Sequence, residues 1–198
     1  MEKQILNLFL YNNYLKFNEI EKFLKTRSNK LAYHIKQLIK KGILIKKQGH
    51  YSLSKTSEYL IPYLSNKKSV LPVILIHIGT KNKVFLYKRE KKPFKNYLSL
   101  PGGRLLIKES IKQATKRIMK NKFKISIEFK QINSISLEHV KRSEIIHSFL
   151  LILVSAKTKE DIKLMNVNKN KSKIIPSDYK LIKNKKESID INTIYSQI

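Results

Sequence analysis

Between positions 100 and 125 the chain carries Leu100-Pro101-Gly102-Gly103, then Glu109, then Arg117, with Lys122 and Lys124 close behind. Attack on a pyrophosphate linkage needs a water that divalent cations orient and acidify, and hard cations of this kind are held by oxygen ligands. Glu109 is the one carboxylate of the stretch, and Ile118, Asn121 and Lys122 add none. A fixed charge such as Lys122, roughly 4 Å from a divalent ion, would cost on the order of 8 kcal/mol at an effective dielectric of about 20. No metal cage is expected here.

The run LPGG, Glu109, Arg117 resembles the front half of a Nudix box. In that motif Gly103, Glu109 and Arg117 fall in register. Ile118 stands where the first of the later glutamates belongs, Asn121 and Lys122 replace the Glu-Glu pair, Lys124 replaces the closing glycine, and Ile125 keeps the final aliphatic. The resemblance implies a Nudix-like α/β/α sandwich with a mixed sheet over residues 70–198. The lost acids imply a body that is not an enzyme, with no catalytic residue, metal or cofactor. It would instead sense a nucleotide or dinucleotide effector, with Arg89, Arg104 and the Gly102-Gly103 turn facing the phosphates and His147 as a wall residue. The alternative is an active pyrophosphohydrolase with a rearranged metal site drawn from Glu128, Glu138 or Glu144.

The elements that would position these residues are readable from periodicity. Residues 70–78 and 83–87 are β-rich runs separated by Gly79-Thr80-Lys81-Asn82. Ile107, Ile111, Ala114 and Ile118 are spaced for one face of a helix. Residues 128–137 and 145–155 read as strands, the second apolar enough to be central. Beyond Ala156 the chain reads as a lysine-rich tail, with a small apolar return at 174–179 and a final helix over 187–196.

The N-terminal third has a different pattern. Ile5, Leu6, Leu8, Phe9 and Leu10 suggest a first helix, and Phe17, Ile20, Phe23 and Leu24 a second. Ser28 is placed to cap a third, whose buried stripe is Leu31, Ile35, Leu38 and Ile39 and whose end is Gly42. Residues 43–53 read as a hairpin turning at Gln48-Gly49.

Three helices and a basic hairpin resemble the winged helix-turn-helix of ArsR- and MarR-like regulators, giving an α+β two-domain chain that binds double-stranded DNA. The resemblance puts Ser28 and Asn29 with Lys30, Tyr33, Lys36 and Gln37 on the face that enters the major groove. Lys46, Lys47 and His50 ride the wing toward phosphates. His34 is either a base contact or a packed structural histidine. Domains are expected at 1–64 and 70–198, joined by a linker over 65–69, with a fourth helix over 54–64 of the kind through which related regulators form homodimers.

Composition supports a polyanionic partner without locating it. Forty-two Lys and Arg against fourteen Asp and Glu leave a formal +28. Residues 1–68 hold 14 basic and 4 acidic residues, leaving 28 and 10 for the rest, so the charge is not confined to one domain. A non-sensing nucleic-acid-binding protein is therefore a third reading. Zero cysteines remove disulfides and thiolate chemistry. With no run approaching the roughly 20 apolar residues of a membrane span and no signal-peptide pattern, a cytoplasmic protein without membrane contact is expected.

Overall fold

The computed structural model describes residues 1–57, 60, 69–141, 143–185 and 189, and the chain divides into two units, residues 1–68 and 69–198. The first unit runs α1 (Glu2–Leu8), β1 (Leu15–Lys16), α2 (Phe17–Leu24), α3 (Ser28–Lys40), β2 (Leu44–Lys47) and β3 (His50–Leu53). One apolar face of each helix meets at a core that includes Ile5, Ile20, Leu31 and Leu38, and the three strands order β1-β3-β2 beside it.

Two local signals fix this unit. After α3, the Ile43 N–H bonds to the Leu38 carbonyl and the Gly42 N–H to the Ile39 carbonyl, both at 2.9 Å, while Gly42 takes φ +68°. That is a Schellman stop, and Ile43 packs back on the core that holds Leu38. In the hairpin, Gln48 at φ +47° and Gly49 at φ +78° give the two left-handed residues of a type I′ turn, which sets the register Lys47 opposite His50.

Three expectations are corrected here. Arg27, not Ser28, is the cap of α3; Ser28 lies inside the first turn, and its hydroxyl donates to Glu21 across the turn from α2. Ile39 is 39% exposed, because it points about 100° away from Leu38 and cannot share the centre of the stripe. Phe23 is likewise exposed on α2. Strand β1, only two residues long, had no legible signal. Of the helix expected over 54–64, residues 55–57 form a 3-10 turn, and the rest lies almost wholly outside the described residues, as does the 65–69 linker apart from Ser69.

The second unit runs β4 (Leu71–His77), β5 (Lys83–Phe85), β6 (Tyr87–Lys88), β7 (Leu98–Ser99), β8 (Gly102–Arg104), α4 (Ile111–Phe123), β9 (Glu128–Lys141), β10 (Ile145–Lys157), β11 (Leu164–Asn166) and α5 (Pro176–Lys183). Its mixed sheet orders β8-β4-β10-β9, with β4 and β10 parallel and the other pairs antiparallel. Alternation along the two central strands sends Ile74, Ile76, Ile152 and Val154 to one face against α4, and Leu75, Leu151 and Leu153 to the other against α5.

Helix α4 starts later than the periodicity suggests. Ser110 accepts from the Gln113 N–H while the Gln113 side chain accepts from the Ser110 N–H, a reciprocal capping box. Ile107 therefore lies outside the helix and is 57% exposed. The supposed tail is also corrected: Ile174, Ile175 and Ile182 are buried in the core, so α5 is a structural layer. The helix expected over 187–196 lies outside the described residues apart from Ile189.

Strand β8 lies against β4 so closely that a Cβ on Gly102 would sit 2.8 Å from the Ile74 carbonyl oxygen. Gly102→Ala is expected to lower stability by about 1–3 kcal/mol through overpacking, measured as a fall in the urea midpoint. An unchanged midpoint would show that β8 can move away from β4 freely.

Candidate functional site

A cavity of about 870 Å³ opens in the second unit where β6, β7, β8 and the end of α4 converge on β4 and β10. All five residues expected at a ligand site, Arg89, Gly102, Gly103, Arg104 and His147, line it. Arg89 stands just beyond β6 and spends its Nε on the carbonyls of Lys91 and Pro93, at 3.0 and 2.7 Å, which holds the β6–β7 loop in shape. Arg104 ends β8 opposite Val73, and the exposed His147 lies on β10 with its ring 6.0 Å from that of Phe149. Leu71, Val73 and Leu75 from β4 contribute an apolar wall.

Sequence reasoning missed several lining residues. Lys122 was seen as a motif breaker but not as a ligand-facing group; its ammonium donates to the Gly102 carbonyl and lines the cavity. Desolvation, then the charges of Arg89, Lys91 and Arg117, hold its pKa below the usual lysine range. Those charges mark a strongly positive interior. Tyr87, Phe123 and Phe149 give it aromatic surface. For Phe149 a signal existed, since it lies two residues from His147 on the same strand.

Glu109 is committed elsewhere. Arg117 Nε donates to its Oε2 at 2.7 Å and Nη2 to its Oε1 at 2.6 Å, while Nη2 also reaches the Arg104 carbonyl at 2.9 Å. The Arg117 hydrogen bonds hold the Glu109 carboxyl below its ordinary range. Among the described residues no group of three or more His, Cys, Asp or Glu is placed to hold a metal ion. A cavity walled by Arg89, Arg104 and Lys122, with Glu90 as its one lining carboxylate among the described residues and Glu109 already forked to an arginine beside it, is poorer in oxygen ligands than a divalent cation needs. Its cations can donate charge-assisted bonds to anionic oxygens.

Behind the Pro101 loop sits Asp178 of α5, 3% exposed, whose Oδ2 accepts from the Ser99 hydroxyl at 2.9 Å and the Leu100 N–H at 2.8 Å. Burial pushes its pKa up to about 6, against those two bonds. Ser99 and Leu100 line the cavity, so this contact sets the position of its floor.

In the first unit, Ser28, Asn29, Lys30, Tyr33 and Lys36 are exposed along α3, and Gln37 is half-buried. His34 is half-buried too, its ring 5.3 Å from that of Tyr33 and its Nδ1 without a hydrogen-bond partner. On the hairpin, Lys46 and Lys47 are exposed, with Lys46 Nζ 5.4 Å from the centre of the Tyr51 ring, while His50 Nδ1 lies 3.0 Å from the Gln48 carbonyl oxygen. His50 thus serves the turn.

No protein-family model and no curated protein matches this chain. Among solved structures, a Nudix hydrolase from Nitrosomonas europaea is similar at 16% identity and a TM-score of 0.52, covering 64% of this chain and 98% of that one. A second Nudix hydrolase from Nitrosomonas europaea is similar at 17% identity and a TM-score of 0.47, covering 71% of this chain and 82% of that one. The Nudix domain of Shewanella oneidensis NrtR, in complex with ADP ribose, is similar at 17% identity and a TM-score of 0.46, covering 66% of this chain and 95% of that one. The first of these likenesses shows the fold to be that of Nudix hydrolases. It also corrects the expectation that the chain is not an enzyme, because the fold is one that solved hydrolases carry. The missing glutamates argue only against a metal held by α4 at those motif positions. Among the described residues no helix is long and apolar enough to cross a membrane.

Proposed function

We propose that the chain is a DNA-binding transcriptional regulator whose Nudix-fold unit binds a nucleotide-type diphosphate ligand. The observation that carries the ligand reading is the cavity whose lining brings Arg89, Arg104 and Lys122 together with an aromatic and aliphatic wall. Cations suit the diphosphate and the apolar wall suits a base or sugar. The exposed face of α3, followed by the basic hairpin, supports the winged-helix reading of the first unit, with Ser28, Asn29, Lys30, Tyr33, Lys36 and Gln37 toward bases and Lys46, Lys47 and His50 toward phosphates. The domain limits proposed are 1–64 and 70–198, and the working form is a cytoplasmic homodimer. Regulation requires a ligand that favours one arrangement of the two heads, since one indifferent to both shifts nothing.

The likeness to a solved Nudix hydrolase favours a second reading of the same cavity, in which the bound diphosphate is also cleaved. Duplex binding, measured at several salt concentrations with and without ADP-ribose, NAD and nucleoside diphosphates, tests the first reading. A shift in duplex affinity by one of these ligands is expected, with Arg104→Glu weakening the ligand about tenfold. Failure of every ligand to bind or to shift the duplex would remove the sensor. Chromatography of the same mixtures reports cleavage.

A further inference from the structure

Tyr87 pairs with Ser99, and Lys88 with Leu98, in the ribbon formed by β6 and β7. Successive residues of a strand point to opposite faces. Tyr87 and Ser99 accordingly line the cavity already described, while Lys88 and Leu98 line a second one, of about 590 Å³, on the other side. Among the described residues Lys88 alone lines both.

The second cavity has its own chemistry. Tyr97, 41% exposed, lines it with Leu98 and Met165, its ring 6.1 Å from that of Phe94 in an edge contact. Asn96 and Asn170 supply amides, and Asn170 spends its Nδ2 on the Asn166 carbonyl at 2.8 Å, which leaves its Oδ1 as an acceptor. Lys88 and Lys173 supply two ammonium groups, and among the described residues no carboxylate lines the space. An aromatic ring, two amides and two cations on one lining supply the three things a base-bearing phosphate needs: stacking, edge hydrogen bonds and charge.

We infer that this second cavity is a separate binding site for a nucleoside monophosphate, coupled to the first through Lys88. One ammonium cannot serve two anions fully, so occupation of either cavity weakens the other, and by the same factor in both directions. The coupling rests on the proposed diphosphate site; the binding of the monophosphate does not.

The test uses the full chain, AMP as the probe of the second cavity and inorganic pyrophosphate as the probe of the first, both followed by calorimetry. Tyr97→Ala and Lys173→Glu are expected to weaken AMP about tenfold and to leave pyrophosphate unchanged. Lys122→Glu is expected to do the reverse. Saturating pyrophosphate weakens AMP in the native protein, and Lys88→Ala abolishes that dependence. AMP binding that ignores Tyr97 and Lys173, or that follows Lys122, overturns the second site. Two independent titrations in the native protein overturn the Lys88 link. If pyrophosphate fails to bind while AMP retains its dependence on Tyr97, the reading of the first cavity fails and this one stands.

Discussion

Asp178→Asn is expected to convert a protein whose stability changes little between about pH 4 and pH 7 into one that loses on the order of 3 kcal/mol on acidification across that range. The reason is that two buried groups oppose one another. Asp178 has a pKa of 3.8 in an ordinary setting and about 6 in the fold, where desolvation outweighs its bonds to Leu100 and Ser99. The folded state holds that proton more tightly than the unfolded chain, so the stability it contributes is complete below the ordinary value and is lost as pH rises through about 6. His77, 1% exposed at the end of β4, goes the other way: burial, then the charge of Lys185, lower its pKa from 6.5 to about 4. Its contribution is complete above 6.5 and is lost as pH falls toward about 4. Each displacement is worth about 3 kcal/mol, so they nearly cancel. Asparagine keeps an acceptor for the Ser99 hydroxyl and Leu100 N–H but cannot titrate. Urea midpoints across the range would expose His77 alone. Glu109, held down by Arg117, stays ionised through most of the window. A variant profile as flat as that of the native chain would mean that Asp178 does not titrate in the fold.

That pair also shows what the sequence withholds. Neither residue's own type announces its burial, although Asp178 falls within the small apolar return at 174–179 and His77 closes an apolar strand. Helix α5 presents few apolar residues, so it reads as a tail, yet Pro176 at its first turn and the spacing of Ile175, Tyr179 and Ile182 were the available signs of a packed helix. The late start of α4 was legible in Ser110 and Gln113, but the spacing of Ile107 to Ile111 concealed it. Central strands were readable because both of their faces are buried and their apolar runs are continuous. The hairpin was readable because Gly49 and Gly42 stand where left-handed backbone is needed. In the cavity, the polar residues came from their motif and strand-end positions and Phe149 could have been found from its spacing to His147, whereas Tyr87 and Phe123 carry no chemistry that a spacing argument can detect. Lys122 was visible only as a lost acid, although a cation in that place is itself a description of what the cavity now attracts.

Reversing Lys30 and Lys36 together to glutamate is expected to weaken duplex binding at least about a hundredfold near physiological salt. Both side chains are exposed on the outer face of α3, where the proposed reading sets them toward base edges. The same change at Lys116 and Lys159, exposed in the second unit, lowers the formal charge of +28 by the same amount and is expected to cost less than about threefold. The comparison decides between a localised reading surface and a polyanion binder that uses its charge diffusely, for which both pairs would act alike. Loss of the fold is separable from loss of contact, because Lys30 lies in the first turn of α3, where no acidic residue is present. There a cation opposes the helix dipole, and an acid adds roughly 0.3–1 kcal/mol. The α3 pair should therefore melt no lower than the native protein while failing to hold DNA. Equal binding by the two double variants would sink the assignment of α3 as the recognition helix.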